Sequence, residues 1–424
     1  MTNGLKQVYA TLKFDDNKLQ IIVAEYSNTR FNIIATYNNP IEGIVDFKIV
    51  DKDLVVDYLK KGIESISKKI GAKLEKVILI VPPVNFKKTY LTVSTVPEDG
   101  TLKKSDIARL TTNALQANVD DDLVVVNTLI SKYTINGIST RRLLENESCD
   151  EAFLDIDLLC ADKDVVYSYV DVVLKAGVEV LDIVLNNYAI AKESVLLDNS
   201  INKKIILLDI GNEVTYLSLL YKGRLMSSEI IHDGLANMEN KLYEKYHLPL
   251  TAIPRLIKYN VDFNSAYPND AIYAWNKDDK TYSLTIKELS DFIEEPLNEY
   301  LDKILMMCKP LLEKGADIWI CGEGSNMLAL VKKLRSLSGQ EVKTYYPDTI
   351  GARNSELCAV YGALYVYREK ANLNNLDVNC LNPLEYEEVV SKVEEDEESE
   401  SITSKIRNLF EMYRDKGDIE WVQN

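Results

Sequence analysis

Residues Ile205–Gly234 read IILLDIGNEVTYLSLLYKGRLMSSEIIHDG. The apolar run Ile205–Leu208 ends in Asp209-Ile210-Gly211-Asn212, and a second apolar run, Val214–Leu220, starts at once. The turn Tyr221-Lys222-Gly223-Arg224 then leads into a third run. The pattern predicts strand, tight turn, strand, turn, strand. The first turn carries an acid and a glycine directly off a buried strand. Such a turn can aim successive backbone N–H groups at a phosphate. Taken alone, an Asp-x-Gly turn is more simply an ordinary hairpin. The remainder of the chain weighs between the two.

A chain of 424 residues, 46% of them hydrophobic, can bury more than one core and points to two or more domains. No stretch reaches the roughly 18 consecutive apolar residues of a membrane span. The N-terminus, MTNGLKQVYATLKF, has no apolar signal-peptide region. Six scattered cysteines (Cys149, Cys160, Cys308, Cys321, Cys358, Cys380) form no CxxC pair, and the histidines are His232 and His247. No structural metal is expected, the thiols are expected to be reduced in a cytosol, and Ser-His-Asp or Cys-His catalysis has little material. The net charge of −17 argues against a nucleic-acid partner. That charge is unevenly placed: residues 385–400, EYEEVVSKVEEDEESE, hold nine acids and one lysine. A run that repels itself and has little to bury is expected to be a disordered linker between the body and a terminal segment.

Along the body the pattern is α/β. Val8–Leu12 and Leu19–Tyr26 read as strands around the polar turn Lys13–Lys18, and Phe31–Tyr37 as a third. Apolar residues at 55, 59, 63, 66 and 70 make a helical stripe that Gly71 can cap. Val77–Val81, stopped by Pro82-Pro83, reads as a buried strand, and 164–176 as a helix followed by the strand Val178–Val184. Between these lies an insert, 86–163, read as strand (Tyr90–Val96), helix (Ser105–Ala117), strand (Val124–Tyr133) and strand (Phe153–Cys160), with Ser105 as N-cap. The second half repeats the theme. Strands 205–231 lead to a helix Asn237–Tyr246 and a polar, helical stretch to about 310. The strand Asp317–Cys321, the turn Gly322-Glu323-Gly324-Ser325-Asn326 and the helix Met327–Leu334 follow. A glycine-rich turn between strand and helix offers free N–H groups and a positive dipole end to a phosphate or nucleoside. Two such turns in one half support each other.

In order and spacing these motifs resemble FtsA, the bacterial cell-division branch of the actin/Hsp70-like ATPase superfamily. The N-terminal hairpin stands at that family's first phosphate loop, and the 86–163 insert where FtsA carries an extra subdomain. LLDIGNEVTYLSLLYKGRLMSSEIIHDG resembles the second phosphate hairpin and its connecting segment, and IWICGEGSNMLAL the adenosine loop. Ala359-Val360-Tyr361-Gly362-Ala363-Leu364 resembles the terminal AxGxL-type helix. The resemblance implies an α/β, actin-like (ribonuclease-H-like) two-domain fold with an FtsA-type inserted subdomain, a disordered acidic linker and a C-terminal amphipathic helix. It divides the chain into domain I (5–85 and 164–200), the insert (86–163), a domain II core (201–246 and 316–372), a domain II subdomain (247–315), the linker (373–401) and a tail (402–424). It implies ATP or ADP, with Mg²⁺ as companion. The first loop would contribute Asp15, Asp16 and Asn17. The second would contribute Asp209, Gly211, Asn212, Thr215 and Gly234, and the adenosine loop Gly322, Gly324, Ser325 and Asn326. The chain also departs from the family. Lys13 and Asp15 stand at the Asp and Gly positions of the first loop. Asn212, Glu213 and Tyr216 replace Gly, Gly and Asp in the second, and Ile253 replaces a nucleoside-contacting Glu. Glycine lets backbone approach phosphate, and Glu213 adds negative charge beside it. Efficient turnover is therefore not expected: at most a weak ATPase.

The tail carries a separate signal. On a helical wheel Ile402, Ile406, Leu409, Phe410 and Tyr413 share one face. Lys405 and Lys416 border it on one side, Arg407 and Arg414 on the other, and Trp421 lies beyond. Basic residues flanking an apolar stripe can reach lipid phosphates while the stripe enters the headgroup boundary. Docking on the body or on a partner is the competing reading. The resemblance implies a cell-division adaptor, peripheral on the cytoplasmic face of the membrane at the division site. It would tether FtsZ filaments to anionic lipid and assemble with itself as an actin-like, nucleotide-responsive filament. The FtsZ C-terminal peptide would dock on 247–315 along the helix Leu289–Met307, at Leu297, Tyr300 and Lys303, where core packing competes for the apolar positions. Leu297 follows Pro296 where the family often has Arg. Two other readings stay open: a pilus-assembly actin-like protein, and a sugar-kinase-like ATPase of the same superfamily. The kinase needs an intact first loop, and Lys13 counts against it.

Overall fold

The computed structural model describes residues 7–15, 18–27, 29–143, 148–277, 280–347, 354–376 and 378–399. Asp16, Asn17, the side chain of Asp15 and every tail residue from Ile402 to Trp421 lie outside the described residues.

Domain I opens with an antiparallel meander: β1 (Gln7–Asp15), β2 (Lys18–Ser27) and β3 (Arg30–Pro40). Asp15 pairs with Lys18, so the hairpin turn is shorter than the polar turn expected from Lys13 to Lys18. Lys13 is a strand residue opposite Gln20 and only 5% exposed. A small hairpin, β4 (Ile44–Val45) with β5 (Lys48–Ile49), leads to α1 (Lys52–Ile70) and β6 (Lys76–Val81). Asp51 caps α1 by accepting the Leu54 N–H at 3.0 Å. Gly71 ends it in the left-handed region (φ 82°), as its sequence position predicts.

The insert follows as β7 (Lys87–Thr95), α2 (Lys104–Ala114), β8 (Leu123–Ile135), β9 (Ile138–Thr140) and β10 (Ala152–Asp162). Its sheet, in the order β7-β10-β8-β9, has its own core around Ile107, Leu110, Ile156 and Leu158. Helix α2 starts before the expected Ser105 cap, because Asp106 Oδ2 accepts the Lys103 N–H at 3.1 Å. Then α3 (Lys163–Lys175), β11 (Glu179–Leu185), α4 (Asn186–Glu193) and the short α5 (Leu196–Asn199) complete domain I.

Domain II begins with β12 (Ile205–Ile210), β13 (Thr215–Tyr221), β14 (Arg224–Ile231) and α6 (Leu235–Tyr246). Its subdomain comprises α7 (Ile253–Asn260), β15 (Ala271–Lys277), β16 (Lys280–Thr285) and α8 (Ile286–Leu312). The chain returns through β17 (Asp317–Gly322), a 3-10 turn (Glu323–Asn326), α9 (Leu328–Ser338) and β18 (Val342–Thr344). It ends in α10 (Cys358–Asn374) and α11 (Pro383–Ser399).

The two domains are one plan built twice. The domain I sheet runs β11-β6-β1-β2-β3 and the domain II sheet β18-β17-β12-β13-β14. In each, the first three strands are antiparallel and the last two join parallel to the first. This is the α/β pattern read from the strands and turns, in the actin-like architecture that the resemblance implies. The halves meet where α10 crosses α4. A Cβ on Gly362 would stand 1.9 Å from the Ala189 carbonyl oxygen, so only glycine permits the crossing.

Two expectations are corrected. The polar, helical stretch to 310 contains the hairpin β15–β16, whose Ile272, Tyr273, Trp275, Tyr282 and Leu284 have strand propensity. The expected disordered linker instead begins with a strap on domain I, 378–386, that runs into α11. The Val8 N–H donates to Val378 O at 3.1 Å and the Cys380 N–H to Val8 O at 2.9 Å, so this strap lies along β1. Val378, Cys380, Leu381 and Tyr386 join the domain I core, and Tyr386 Oη donates to Glu25 at 2.9 Å. Counting charge overlooked these apolar anchors and the helix propensity of glutamate. Among the described residues no helix is long and apolar enough to cross a membrane.

Candidate functional site: the cleft between the domains

The β12–β13 turn is stitched to the start of α6. The Gly211 N–H donates to Val214 O at 2.9 Å, closing the turn. The Gly211 and Asn212 carbonyls accept the Leu235 and Ala236 N–H groups at 3.3 and 2.8 Å. Gly234 allows the contact, since a Cβ there would stand 2.3 Å from Asn212 O. Two first-turn N–H groups of α6, the kind of donor an anion would use, are thereby occupied. Thr215, chosen from the sequence as a ligand contact, is fully buried. Its hydroxyl donates to Asp233 O at 3.0 Å and lies 2.5 Å from Tyr300 Oη. Asp209 Oδ2 accepts from Asn186 Nδ2 at 2.8 Å, linking β12 to α4 across the domains.

The second turn packs against the first. Gly322 has φ 76° and ψ −168°, and a Cβ there would stand 2.5 Å from Asp209 Oδ1. A Cβ on Gly324 would stand 2.4 Å from Ile210 Cγ2. Ser325 Oγ donates to Gly322 O, and Tyr346 Oη to Ser325 O, both at 2.9 Å. Asn326 closes the 3-10 turn, which separates the start of α9 from the strand end. The structure thus gathers Asp209, Gly211, Asn212, Gly234, Gly322, Gly324, Ser325 and Asn326 into one region, with their backbone contacts made largely to one another.

Charged side chains that sequence reasoning missed fill the space between. Lys18, the first residue of β2, is ion-paired with Glu323 on the 3-10 turn. Lys258 of α7 pairs with Glu323 at 2.9 Å and with Glu356 at 3.2 Å. Lys258, Glu323 and Glu356 have side chains only 12–15% exposed. Burial pushes the Glu323 carboxyl up, but Lys18 and Lys258 outweigh it and hold it below its ordinary value. Burial pulls Lys258 down, and Glu323 and Glu356 reverse that. Glu239 is pushed up by burial and by the Glu323 charge. The remaining cavity, bounded by Asp209, Gly211, Val214, Tyr216, Gly322, Glu323 and Glu356, measures about 10 Å³. That holds one water; ligand pockets run to roughly 300–1,000 Å³. A space of that size between the two turns does not admit a nucleotide. Among the described residues no group of His, Cys, Asp and Glu side chains could hold a metal. A larger opening of about 710 Å³, bounded by Phe47, Phe86, Asp162 and His232, includes none of the residues chosen from the sequence.

On α8, Leu297 and Tyr300 are buried at 0% and 1% exposure, in one stripe with Ile293, Leu301 and Ile304. As peptide contacts they are corrected: their spacing is that of a core face. Lys303 remains outside, 2.5 Å from Asp233 Oδ2. The subdomain presents its aromatics elsewhere. Trp275 stacks on Tyr282 with centroids 5.7 Å apart, Tyr246 meets Phe292 at 5.8 Å, and Lys245 Nζ lies 4.3 Å from the Phe292 centroid.

Comparison with known proteins agrees with the fold. No family model matches the chain. The chain is 21% identical over 396 residues to the cell division protein FtsA of Bacillus subtilis (strain 168), covering 89% of this chain and 88% of that one. It is 21% identical over 356 residues to FtsA of Streptococcus pneumoniae, covering 82% and 77%. The resemblance to FtsA therefore runs along nearly the whole chain, at low identity. Among solved structures, a PilM–PilN type IV pilus biogenesis complex superposes with TM-score 0.55 at 12% identity, over 84% of this chain and 98% of that one. MreB5 of Spiroplasma citri bound to ADP does so with TM-score 0.50 at 13% identity, over 87% and 99%. Both establish the actin-like fold.

Proposed function

We propose that this protein is a cell-division adaptor of the FtsA type. It links FtsZ filaments to the inner face of the membrane and associates with copies of itself as actin-like protomers do. The observation that carries this reading is the FtsA likeness over 89% of the chain, together with the four-stranded insert between β6 and α3. The tail 402–424 serves as the lipid anchor through Ile402, Lys405, Ile406, Arg407, Leu409, Phe410, Tyr413, Arg414 and Trp421. The 247–315 subdomain receives the FtsZ C-terminal peptide at Trp275, Tyr282 and Phe292, beside Tyr246 and Lys245 at the end of α6. Aromatic faces with a nearby charge suit short linear motifs. A transient motif binds at micromolar strength or weaker, on the order of −8 kcal/mol or less favourable.

The test is fluorescence anisotropy with a labelled FtsZ C-terminal peptide. Saturable binding to the full chain, weakened at least about tenfold by Trp275→Ala, is expected. No binding at protein concentrations well above micromolar would move the reading to a pilus-assembly role.

A further inference from the structure

We propose that the cleft between the domains is held shut by the ion-pair chain Lys18–Glu323–Lys258–Glu356, which takes the place that a nucleotide holds in an actin-like protein. The four residues come from four separate elements: the start of β2 in domain I, the turn after β17, helix α7 of the subdomain, and the turn before α10. A ligand seated between the two glycine turns would have to join the same elements. Here they are joined already.

Size and charge both favour the side chains over a polyphosphate. The remaining cavity, about 10 Å³, admits a water. Two lysines against two glutamates make the chain neutral, so it is satisfied without an added anion. A polyphosphate would have to break the Lys18 and Lys258 pairs and then face Glu323 and Glu356, with Glu239 close by and its carboxyl pushed up by burial and by the Glu323 charge. The Lys258 pairs, at 12–15% exposure, are poorly screened by solvent, and Glu323, at 12%, is costly to leave without Lys18, itself 31% exposed. The glycines at 211, 234, 322 and 324 do not argue for phosphate, since Gly234, Gly322 and Gly324 are each required for close contact within the protein. Domain closure then depends on ionic strength and on these side chains, independently of nucleotide.

The inference is separate from the adaptor role and is tested by hydrogen–deuterium exchange on the full chain, followed over 205–221 and 317–326. Millimolar ATP or ADP, with or without Mg²⁺, should leave exchange unchanged. Lys18→Met should raise it about tenfold, equivalent to about 1.4 kcal/mol of local opening. Lys18→Arg should stay at the wild-type rate, and Glu356→Gln should loosen the same segments by its own route. Circular dichroism checks that each variant is folded. Protection by nucleotide in the wild type would overturn the proposal, as would Lys18→Met and Glu356→Gln both exchanging like the wild type. Peptide binding to the subdomain does not enter either outcome.

Discussion

Gly322 shows what a single residue can and cannot disclose in advance. Its place after a buried strand marks it as a turn glycine with a phosphate-binding neighbour as its reason. The structure supplies a different reason: φ 76° with ψ −168° lies in a region essentially restricted to glycine, and a side chain would strike Asp209 Oδ1. Both reasons demand the same residue, so sequence could find the position without finding its purpose. Gly322→Ala should therefore lose about 3 kcal/mol or more in urea denaturation, with no ligand present. Gly339→Ala is the control. That residue also has positive φ (63°), but a Cβ added there would meet no atom within 4 Å, and the variant should lose only about 1 kcal/mol. Equal losses would mean that contact with Asp209 is unimportant. Lys18, Lys258 and Glu356 were illegible for a plainer reason. Lys18 and Glu323 are 305 residues apart, and no local pattern announces such a pairing.

At the scale of elements, periodicity did most of the work. The strand-turn-strand runs beside β1 and β12, the α1 stripe and the insert were all readable, because alternation and helical spacing are local properties. Two stretches were misread where composition stood in for pattern: the β15–β16 hairpin, hidden in a polar region, and the start of α11, hidden in a charge run. How the insert docks was not readable at all. Asp157 of β10 is fully buried, and Arg224 of β14 grips it with both Nε, at 2.6 Å, and a second guanidinium nitrogen. Lys88 Nζ stands 3.8 Å away. This pair ties the insert to domain II. Arg224→Met keeps much of the side-chain volume but strands a buried carboxylate. Breaking such a pair costs about 3–5 kcal/mol, with Lys88 placing the loss toward the lower end. Chemical denaturation measures it. Asp157→Asn in the Arg224→Met background should recover part of the loss, because the stranded charge is gone. A single variant as stable as the wild type would show that the insert is held by other contacts.

For the whole molecule, the order of motifs predicted the duplicated architecture, while the path from body to tail required coordinates. Helix α11 leaves domain I beside α1, where the Lys73 N–H donates to Glu385 Oε2 at 2.6 Å and Asn382 Nδ2 to Glu75 at 3.0 Å. Its 17 residues span about 25 Å at 1.5 Å per residue. An arm of that length exceeds the Debye length of about 8 Å at physiological salt. On the proposed membrane role, it spaces the body from the surface, while the acids at 394–398 and 400 sit next to the tail and oppose attachment to an anionic surface. The tail beyond then contributes apolar burial at roughly 25 cal/mol per Å² and about 1 kcal/mol for each basic residue near the lipid. One such helix holds weakly, so association between copies supplies firm attachment. Phe410→Glu places a charge in the centre of the apolar face and should abolish co-sedimentation with anionic liposomes. A peptide of residues 401–424 should gain helical circular dichroism on anionic vesicles and lose it as salt rises. If the peptide stays unstructured there and Phe410→Glu still sediments, the tail docks on protein and the arm presents it to a partner instead.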